Sequence, residues 1–140
     1  MKGLFLEDLS VGQSAELTMT ATERGIASFA EVTGDNNPVH LDEAYAATTP
    51  FKTRIAHGML SAGYISAVIG TRLPGPGAIY ISQALRFKRP VKIGDEVTVR
   101  ATITALDADK GRATIETVAL VGGKPVVDGE ALVMPPKRGG

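Results

Sequence analysis

One segment of the chain, residues 57–73, is apolar on every side of the helix that it is expected to form. The stretch HGMLSAGYISAVIGTRL carries one cation near its end and almost no other charge, and PGPG follows it. A helix that is apolar all round is one that the rest of the protein buries. The remaining chain must therefore supply enough apolar surface to cover this helix.

Four stretches rich in Val, Ile and Thr follow the helix and are expected to form strands. Such residues favour strands, and Gly and Pro mark the turns between them. The stretches cover residues 78–87, 95–107, 112–121 and 125–134. Strands that follow helices indicate an α+β fold with an antiparallel sheet. We expect a long sheet to curl around the central apolar helix, because this is the economical way to bury it.

The N-terminal part is predicted to hold a first strand and two short helices. The Thr-rich residues 13–22 alternate loosely, as in a strand. A short amphipathic helix follows, with Thr22 as its N-cap and Gly34 just after its end. Residues 42–47 are expected to form one or two helical turns, with Asp42 near the start, where the helix dipole favours an anion.

Length and composition restrict the class of protein. The 140 residues are expected to form one domain, 1–140, with 135–140 as a flexible tail. The 15 cations balance the 15 anions, which argues against a nucleic-acid partner. No cysteine is present, which excludes disulfides and a thiolate nucleophile. We find no signal peptide and no apolar stretch of membrane-spanning length, so a cytoplasmic protein without a membrane partner is expected.

The heptad GDNNPVH, residues 34–40, is the first candidate for a functional site. Pro38 predicts a turn, in which Asp35 and His40 can face one point. A carboxylate and an imidazole that converge on one water form a general acid/base pair. The alternative is structural, with Asp35 capping the turn and His40 packed as an ordinary loop histidine. The residues alone leave both interpretations open.

The stretch HGM, residues 57–59, is the second candidate. A helix that begins at Gly58 presents free backbone N–H groups and the positive end of its dipole. A substrate oxygen could approach the glycine closely, which is the requirement for an oxyanion hole. An ordinary helix start is the alternative interpretation. Two histidines without cysteine argue against a zinc site, so no metal is expected.

Three stretches in the order of the chain resemble the MaoC-like hydratase 2 family. FAEVTGDNNPVHLDEAYA is similar to the hydratase 2 motif, and RIAHGMLSAGYIS is similar to the family's second stretch. AIYISQALRFKRPVKIGDEVTV resembles the strand pair of short, single-domain (R)-specific enoyl-CoA hydratases. The resemblance covers the chain from about Leu9 to Met134.

The resemblance implies a fold and a reaction. The fold is a hot-dog, a long antiparallel sheet wrapped around a central helix, usually paired into a homodimer. The reaction is the reversible syn addition of water to a trans-2-enoyl-CoA, which gives an (R)-3-hydroxyacyl-CoA. It needs no cofactor, since CoA is part of the substrate. The product would suit either polyhydroxyalkanoate (PHA) synthesis or fatty-acid oxidation.

The resemblance also implies residue roles. Asp35 and His40 match the family's catalytic aspartate and histidine. Gly58 matches the glycine whose N–H holds the thioester oxygen. Asn37 matches the motif amide, which is expected to fix the turn, and Ser66 falls where short hydratases often have a polar residue beside the site.

The acyl pocket and two alternative functions complete the predictions. Because the central helix is apolar on every face, we expect Tyr64, Ile65 and Ile69 to line an acyl pocket. One alternative function is a dehydratase that acts on 3-hydroxyacyl groups held by acyl carrier protein. The other is a non-catalytic acyl-CoA-binding domain, against which the intact Asp35 and His40 pair argues.

Overall fold

One five-stranded antiparallel sheet forms the body of the protein. The computed structural model describes all residues, 1–140. The spatial order of the strands is β1-β3-β4-β5-β2, and every neighbouring pair is antiparallel. The strands are β1 (Ser14–Thr20), β2 (Ile79–Phe87), β3 (Glu96–Asp107), β4 (Arg112–Val121) and β5 (Lys124–Met134). The predicted α+β class and all five predicted strands are confirmed.

Four helices lie between β1 and β2. They are α1 (Glu23–Thr33), α2 (Pro38–Leu41), α3 (Glu43–Ala46) and α4 (Gly58–Thr71). The hydroxyl of Thr22 accepts a hydrogen bond from the N–H of Gly25 at 2.9 Å, as predicted for the N-cap of α1. Gly34 ends this helix with φ +80°, a conformation that glycine adopts at little cost. The side chain of Asp42 caps α3.

The core lies between α4 and the concave face of the sheet. Ile65, Val68 and Ile69 are almost completely buried on one side of α4. They belong to one apolar cluster with alternating residues of the strands, among them Val97, Val99, Ile103, Ile115, Ala131 and Val133. The alternation places these strand residues on one face of the sheet. Burial of this face of α4 therefore fixes the helix, and with it the helix N-terminus, relative to the sheet.

The expectation that α4 is buried on every side is wrong for a single chain. Met59, Gly63 and Ser66 are exposed on the side that faces away from the core. One sheet can cover only one side of a helix, and no other element of this chain lies over the exposed side completely. An apolar helix face consequently remains open to solvent in the single chain.

The segment between α3 and α4 is held by α2 and by the chain before β3. The N–H of Ile55 donates to the carbonyl of Val39 at 3.3 Å, and Ile55 forms an isolated β-bridge with Lys92. The N–H of Ala56 donates to the carbonyl of Val91 at 2.7 Å. These bonds bring the start of α4 next to α2.

The chain ends contact each other. Residues 135–140, predicted to be a flexible tail, make hydrogen bonds with the N-terminal segment. The N–H of Leu6 donates to the carbonyl of Pro136 at 2.8 Å, and the N–H of Arg138 donates to the Glu7 carboxylate at 2.7 Å. No helix is both long and apolar enough to cross a membrane.

We expect Ile65→Ala to lower the free energy of unfolding by about 2–5 kcal/mol, because it leaves a cavity between α4 and the sheet. Val32→Ala is the control, since Val32 is exposed on α1; it should change stability by no more than about 0.5 kcal/mol. Denaturant titration measures both. Equal, small losses in the two variants would contradict the packing described here.

Candidate active site

His40 lies on the single helical turn α2, which Pro38 begins. The side chain of Asn37 caps this turn by accepting the N–H of Val39 at 3.2 Å. The sequence had predicted a turn without helix, and this is a correction. Proline fits the first position of a helix, because its missing N–H has no acceptor there in any case. Asp35 lies outside the helix, so the two side chains can still converge.

The ring of His40 is buried and its orientation is fixed by one hydrogen bond. Its Nδ1 lies 2.7 Å from the carbonyl oxygen of Ile55. A carbonyl only accepts, so Nδ1 carries the hydrogen and Nε2 of the neutral ring has a free lone pair. Burial lowers the pKa of His40 below its ordinary value of 6.5, and the neighbouring His57 lowers it further. The hydrogen bond to the Ile55 carbonyl and the charge of Asp35 both act in the opposite direction. His40 is thus a neutral base at neutral pH.

Arg54 fixes the backbone of His40 from the other side. Its Nε donates to the carbonyl of His40 at 2.8 Å. The same guanidinium forms an ion pair with Glu23 at 2.8 Å, and its side chain is largely buried. Arg54 therefore ties α2 to the start of α1. No local sequence pattern points to this residue, because the contact joins segments that are distant along the chain.

Asp35 is exposed in the loop between α1 and α2. Its N–H donates to the hydroxyl of Thr33 at 3.2 Å, and its Oδ1 accepts the N–H of Asn37 at 3.4 Å. One carboxylate oxygen of Asp35 and one ring nitrogen each of His40 and His57 all lie within 4.8 Å of one another. The structure therefore brings the predicted pair together and adds His57 to it.

His57 is the residue of this cluster to which the sequence analysis assigned no role. It is 2% exposed, and its Nε2 lies 2.9 Å from the backbone carbonyl oxygen of Asp35. Its ring stacks on that of His40 with 3.8 Å between the centroids. The available signal was its position directly before Gly58, at the N-cap of α4.

The same three groups are of types that bind metal ions, and their ligand atoms lie close together. A carboxylate and two imidazoles occur together at catalytic zinc sites. Here one nitrogen of each ring faces a backbone carbonyl, so only the other nitrogen of each could bind a metal. The prediction that the site uses no metal and no cofactor stays a prediction.

Gly58 begins α4, and its backbone N–H donates to no carbonyl of the chain. This is the general condition of the first N–H groups of a helix. A side chain at this position would collide with the ring of Phe87, since an added Cβ would lie 2.6 Å from a ring carbon. A side chain at position 58 would therefore have to displace the ring of Phe87, a residue that sequence reasoning did not connect with the site.

A cavity of about 280 Å³ opens beside His57 and Gly58. Its walls include Phe87, Val91 and Ser61, and Lys88 and Arg89 also line it. Ser61 is 1% exposed and was missed by the sequence analysis. The available signal was its spacing of four residues from His57 and three from Gly58, because residues three and four apart share one face of a helix.

The remaining predicted residues lie elsewhere on α4. Ser66 is exposed and lines a second groove, of about 420 Å³, together with Phe29, Met59 and Tyr80. Ile65 and Ile69 are buried in the core, and Tyr64 is half-buried beside it. None of these three lines either cavity described here. Their role in an acyl pocket stays a prediction.

Comparison with known proteins identifies relatives along almost the whole chain. The chain is 58% identical over 135 residues to a protein of Rhodospirillum rubrum named (R)-specific enoyl-CoA hydratase, covering 96% of this chain and 94% of the relative.

Two solved structures are also similar. An R-hydratase of Pseudomonas aeruginosa in the unliganded form is 52% identical with a TM-score of 0.91, covering 97% of this chain and 88% of the other. The (R)-hydratase of Aeromonas caviae involved in PHA biosynthesis is 47% identical with a TM-score of 0.90, covering 93% and 99%.

These similarities confirm the predicted fold, which is a hot-dog with α4 as its central helix. The family model described as MaoC like domain matches residues 8–124, which include Asp35, His40, His57 and Gly58. The chain therefore belongs to the MaoC-like domain family.

Proposed function

We propose that this chain is an (R)-specific enoyl-CoA hydratase, which adds water reversibly and syn across the double bond of a trans-2-enoyl-CoA. The observation that carries the proposal is the gathering of polar atoms of Asp35, His40 and His57 within 4.8 Å, with His57 directly before Gly58, which has a free N–H and lines a cavity. The relatives named (R)-specific enoyl-CoA hydratase and R-hydratase support it. They also support the assignment as a hydro-lyase.

His40 and Asp35 act on one water molecule. The free lone pair on Nε2 of His40 takes a proton from the water, while the Asp35 carboxylate orients the water by accepting its other hydrogen. The water oxygen forms a bond to C3 of the substrate, the C2–C3 π bond breaks, and a proton is returned to C2 from the same pair. Addition of both groups from one side of the double bond makes the product syn. General acid/base help of this kind contributes about 10²–10⁴ in rate.

Gly58 stabilises the charge that the attack creates. As oxygen adds to C3, negative charge moves to the thioester oxygen, and the backbone N–H of Gly58 donates to it. Such a donor contributes about 3 kcal/mol to transition-state stabilisation. The dipole of α4 acts in the same direction. Asn37 supports the site by capping α2, which keeps His40 in place.

One assay distinguishes the three candidate functions, which are a hydratase of CoA thioesters, a dehydratase of carrier-protein thioesters and a non-catalytic binding domain. Incubation with crotonyl-CoA and crotonyl-acyl carrier protein, followed by loss of the enoyl absorbance, separates the three functions. A hydratase consumes the CoA thioester. Faster turnover of the carrier-protein substrate indicates the dehydratase alternative, and no turnover of either indicates a binding domain.

We expect Asp35→Asn and His40→Gln each to fold normally and to lower kcat for crotonyl-CoA by a factor on the order of 10² or more. The double variant should lose far less than the product of the two factors, because residues that act as a unit lose their effect together. Steady-state kinetics and melting temperature are measured on the same samples.

Asp42→Asn is the matched control, since Asp42 caps α3 in the same region and asparagine also caps helices. It should keep the normal kcat. If folded Asp35→Asn turned over as fast as this control, the proposed mechanism would be refuted.

The lowered pKa of His40 predicts how hydration depends on pH. Only the neutral ring can accept a proton, and burial keeps it neutral to a lower pH than an exposed histidine. Plotted against pH, kcat/KM for crotonyl-CoA should therefore be constant above about 6.5 and fall on the acid side, with a midpoint below the ordinary histidine value. A midpoint at or above that value would contradict the assignment of His40 as the base.

We also propose a homodimer that covers β2 and the open side of α4. β2 lies at an edge of the sheet, and its residues Ile79, Tyr80 and Ile81 are exposed. Met59 of α4 is 57% exposed and shares a groove with Tyr80. Exposed apolar edge strands promote association with another strand. A second copy of the chain would remove both the free edge and the open helix face from water.

Sedimentation velocity at micromolar concentration should show a dimer for the wild type. Ile81→Lys should shift it to the monomer, because a charge on an edge strand opposes strand pairing. Val32→Lys is the control, as it adds the same charge at an exposed position of α1, and should stay dimeric. A monomeric wild type would rule out this assembly.

A further inference from the structure

His57 contacts both residues of the proposed acid/base pair. Its Nε2 lies 2.9 Å from the backbone carbonyl oxygen of Asp35. Its ring lies against that of His40, at 3.8 Å between centroids and 28° between planes, and Phe29 packs against it at 4.7 Å. His57 thus touches both residues through its side chain, on the side of α4.

The hydrogen bond to Asp35 determines which nitrogen of the His57 ring carries the donated hydrogen. A carbonyl only accepts, so Nε2 carries the hydrogen and Nδ1 of the neutral ring has a lone pair. Nδ1 is completely buried and has no hydrogen-bond partner. His57 therefore acts as a hydrogen-bond donor to Asp35 through Nε2.

Without His57, Asp35 would be held only by neighbours in the sequence, at the end of α1 and the cap of α2. Its other hydrogen bonds join it to Thr33 and Asn37, two residues away on either side. His40 is held separately, through Ile55 and Arg54. The bond from His57 is thus the one that ties the Asp35 backbone to α4, whose position the core fixes.

Helix capping does not account for His57. It occupies the N-cap position of α4, but its side chain makes no hydrogen bond to the first N–H groups of that helix. Ser, Thr, Asp and Asn are the residues that fulfil this role. A buried polar group with one unused atom requires another explanation.

We propose that His57 is a positioning residue, which sets the separation of Asp35 and His40 by holding the backbone of one and the ring face of the other. This inference rests on the proposed hydratase function. It assigns no proton transfer to His57. Its effect on turnover comes through the placement of the two groups that touch the water.

Two substitutions separate the contributions of His57. His57→Phe keeps a flat ring against His40 and removes the donor, whereas His57→Gln keeps an N–H near the position of Nε2 and removes the ring. For crotonyl-CoA hydration we expect His57→Phe to lower kcat about 10-fold to 100-fold, the loss that a misplacement of about 1 Å produces. KM should change by less than about twofold, and His57→Gln should recover part of kcat.

Thr117→Val is the control for loss of a buried hydrogen bond. Thr117 is fully buried in β4 and pairs with Gln83 at 3.0 Å. This variant should lose stability and keep its kcat per folded molecule. If His57→Phe behaved like it, with kcat within about twofold of wild type, His57 would be an ordinary core residue and the inference would be overturned.

Nitrogen NMR of the wild type gives a second readout that needs no turnover. The chain has two histidines, so ¹⁵N-labelled imidazoles give two sets of signals, which His40→Gln assigns. We expect Nε2 of the His57 ring to carry the hydrogen that it donates to the Asp35 carbonyl. A ring whose hydrogen lies on Nδ1 alone would overturn the inference. This readout also decides the case in which neither His57 variant folds. If the wild-type protein leaves crotonyl-CoA unchanged, the proposed hydratase function is refuted instead. This outcome differs from those that would overturn the role of His57.

Discussion

The burial of one face of α4 against the sheet is the constraint on which the site depends. Ile65, Val68 and Ile69 enter the apolar cluster that the strands supply, and this contact fixes both the direction and the end of the helix. His57 and Gly58 lie at that end. These two residues cannot move without moving the buried helix and disturbing the core. The packed core therefore holds one half of the site in place.

The other half of the site lies on short elements that hydrogen bonds secure. α2 has a single turn and would not be stable alone. The cap from Asn37, the bond from Arg54 to the His40 carbonyl and the bond from His40 to Ile55 keep it in position. The cap is made within the turn, and the other two bonds join the turn to the segment that precedes α4. Asp35 is thereby exposed and His40 is buried, although the two residues are only five positions apart in the sequence.

Local sequence signals predicted the parts of the structure that local interactions determine. Thr22, Gly34 and Asp42 mark helix ends because their capping bonds are made within a few residues. The four long strands were predicted because Val, Ile and Thr favour strands and Gly and Pro mark the turns between them. His57, Ser61, Phe87 and Arg54 were missed as site residues because their contacts join segments that are distant along the chain. The open side of α4 was missed because composition records apolar surface but not which element covers it.

The contact between Gly58 and Phe87 couples the side chains that two positions on different elements accept. A methyl group at position 58 would overlap the present ring at position 87, so the ring must turn aside or be exchanged for something smaller. Phe87 is more than half exposed and lines the cavity beside the helix start, so either change alters the wall of that cavity. Libraries that vary the two positions together therefore sample combinations that a scan of position 58 alone leaves out.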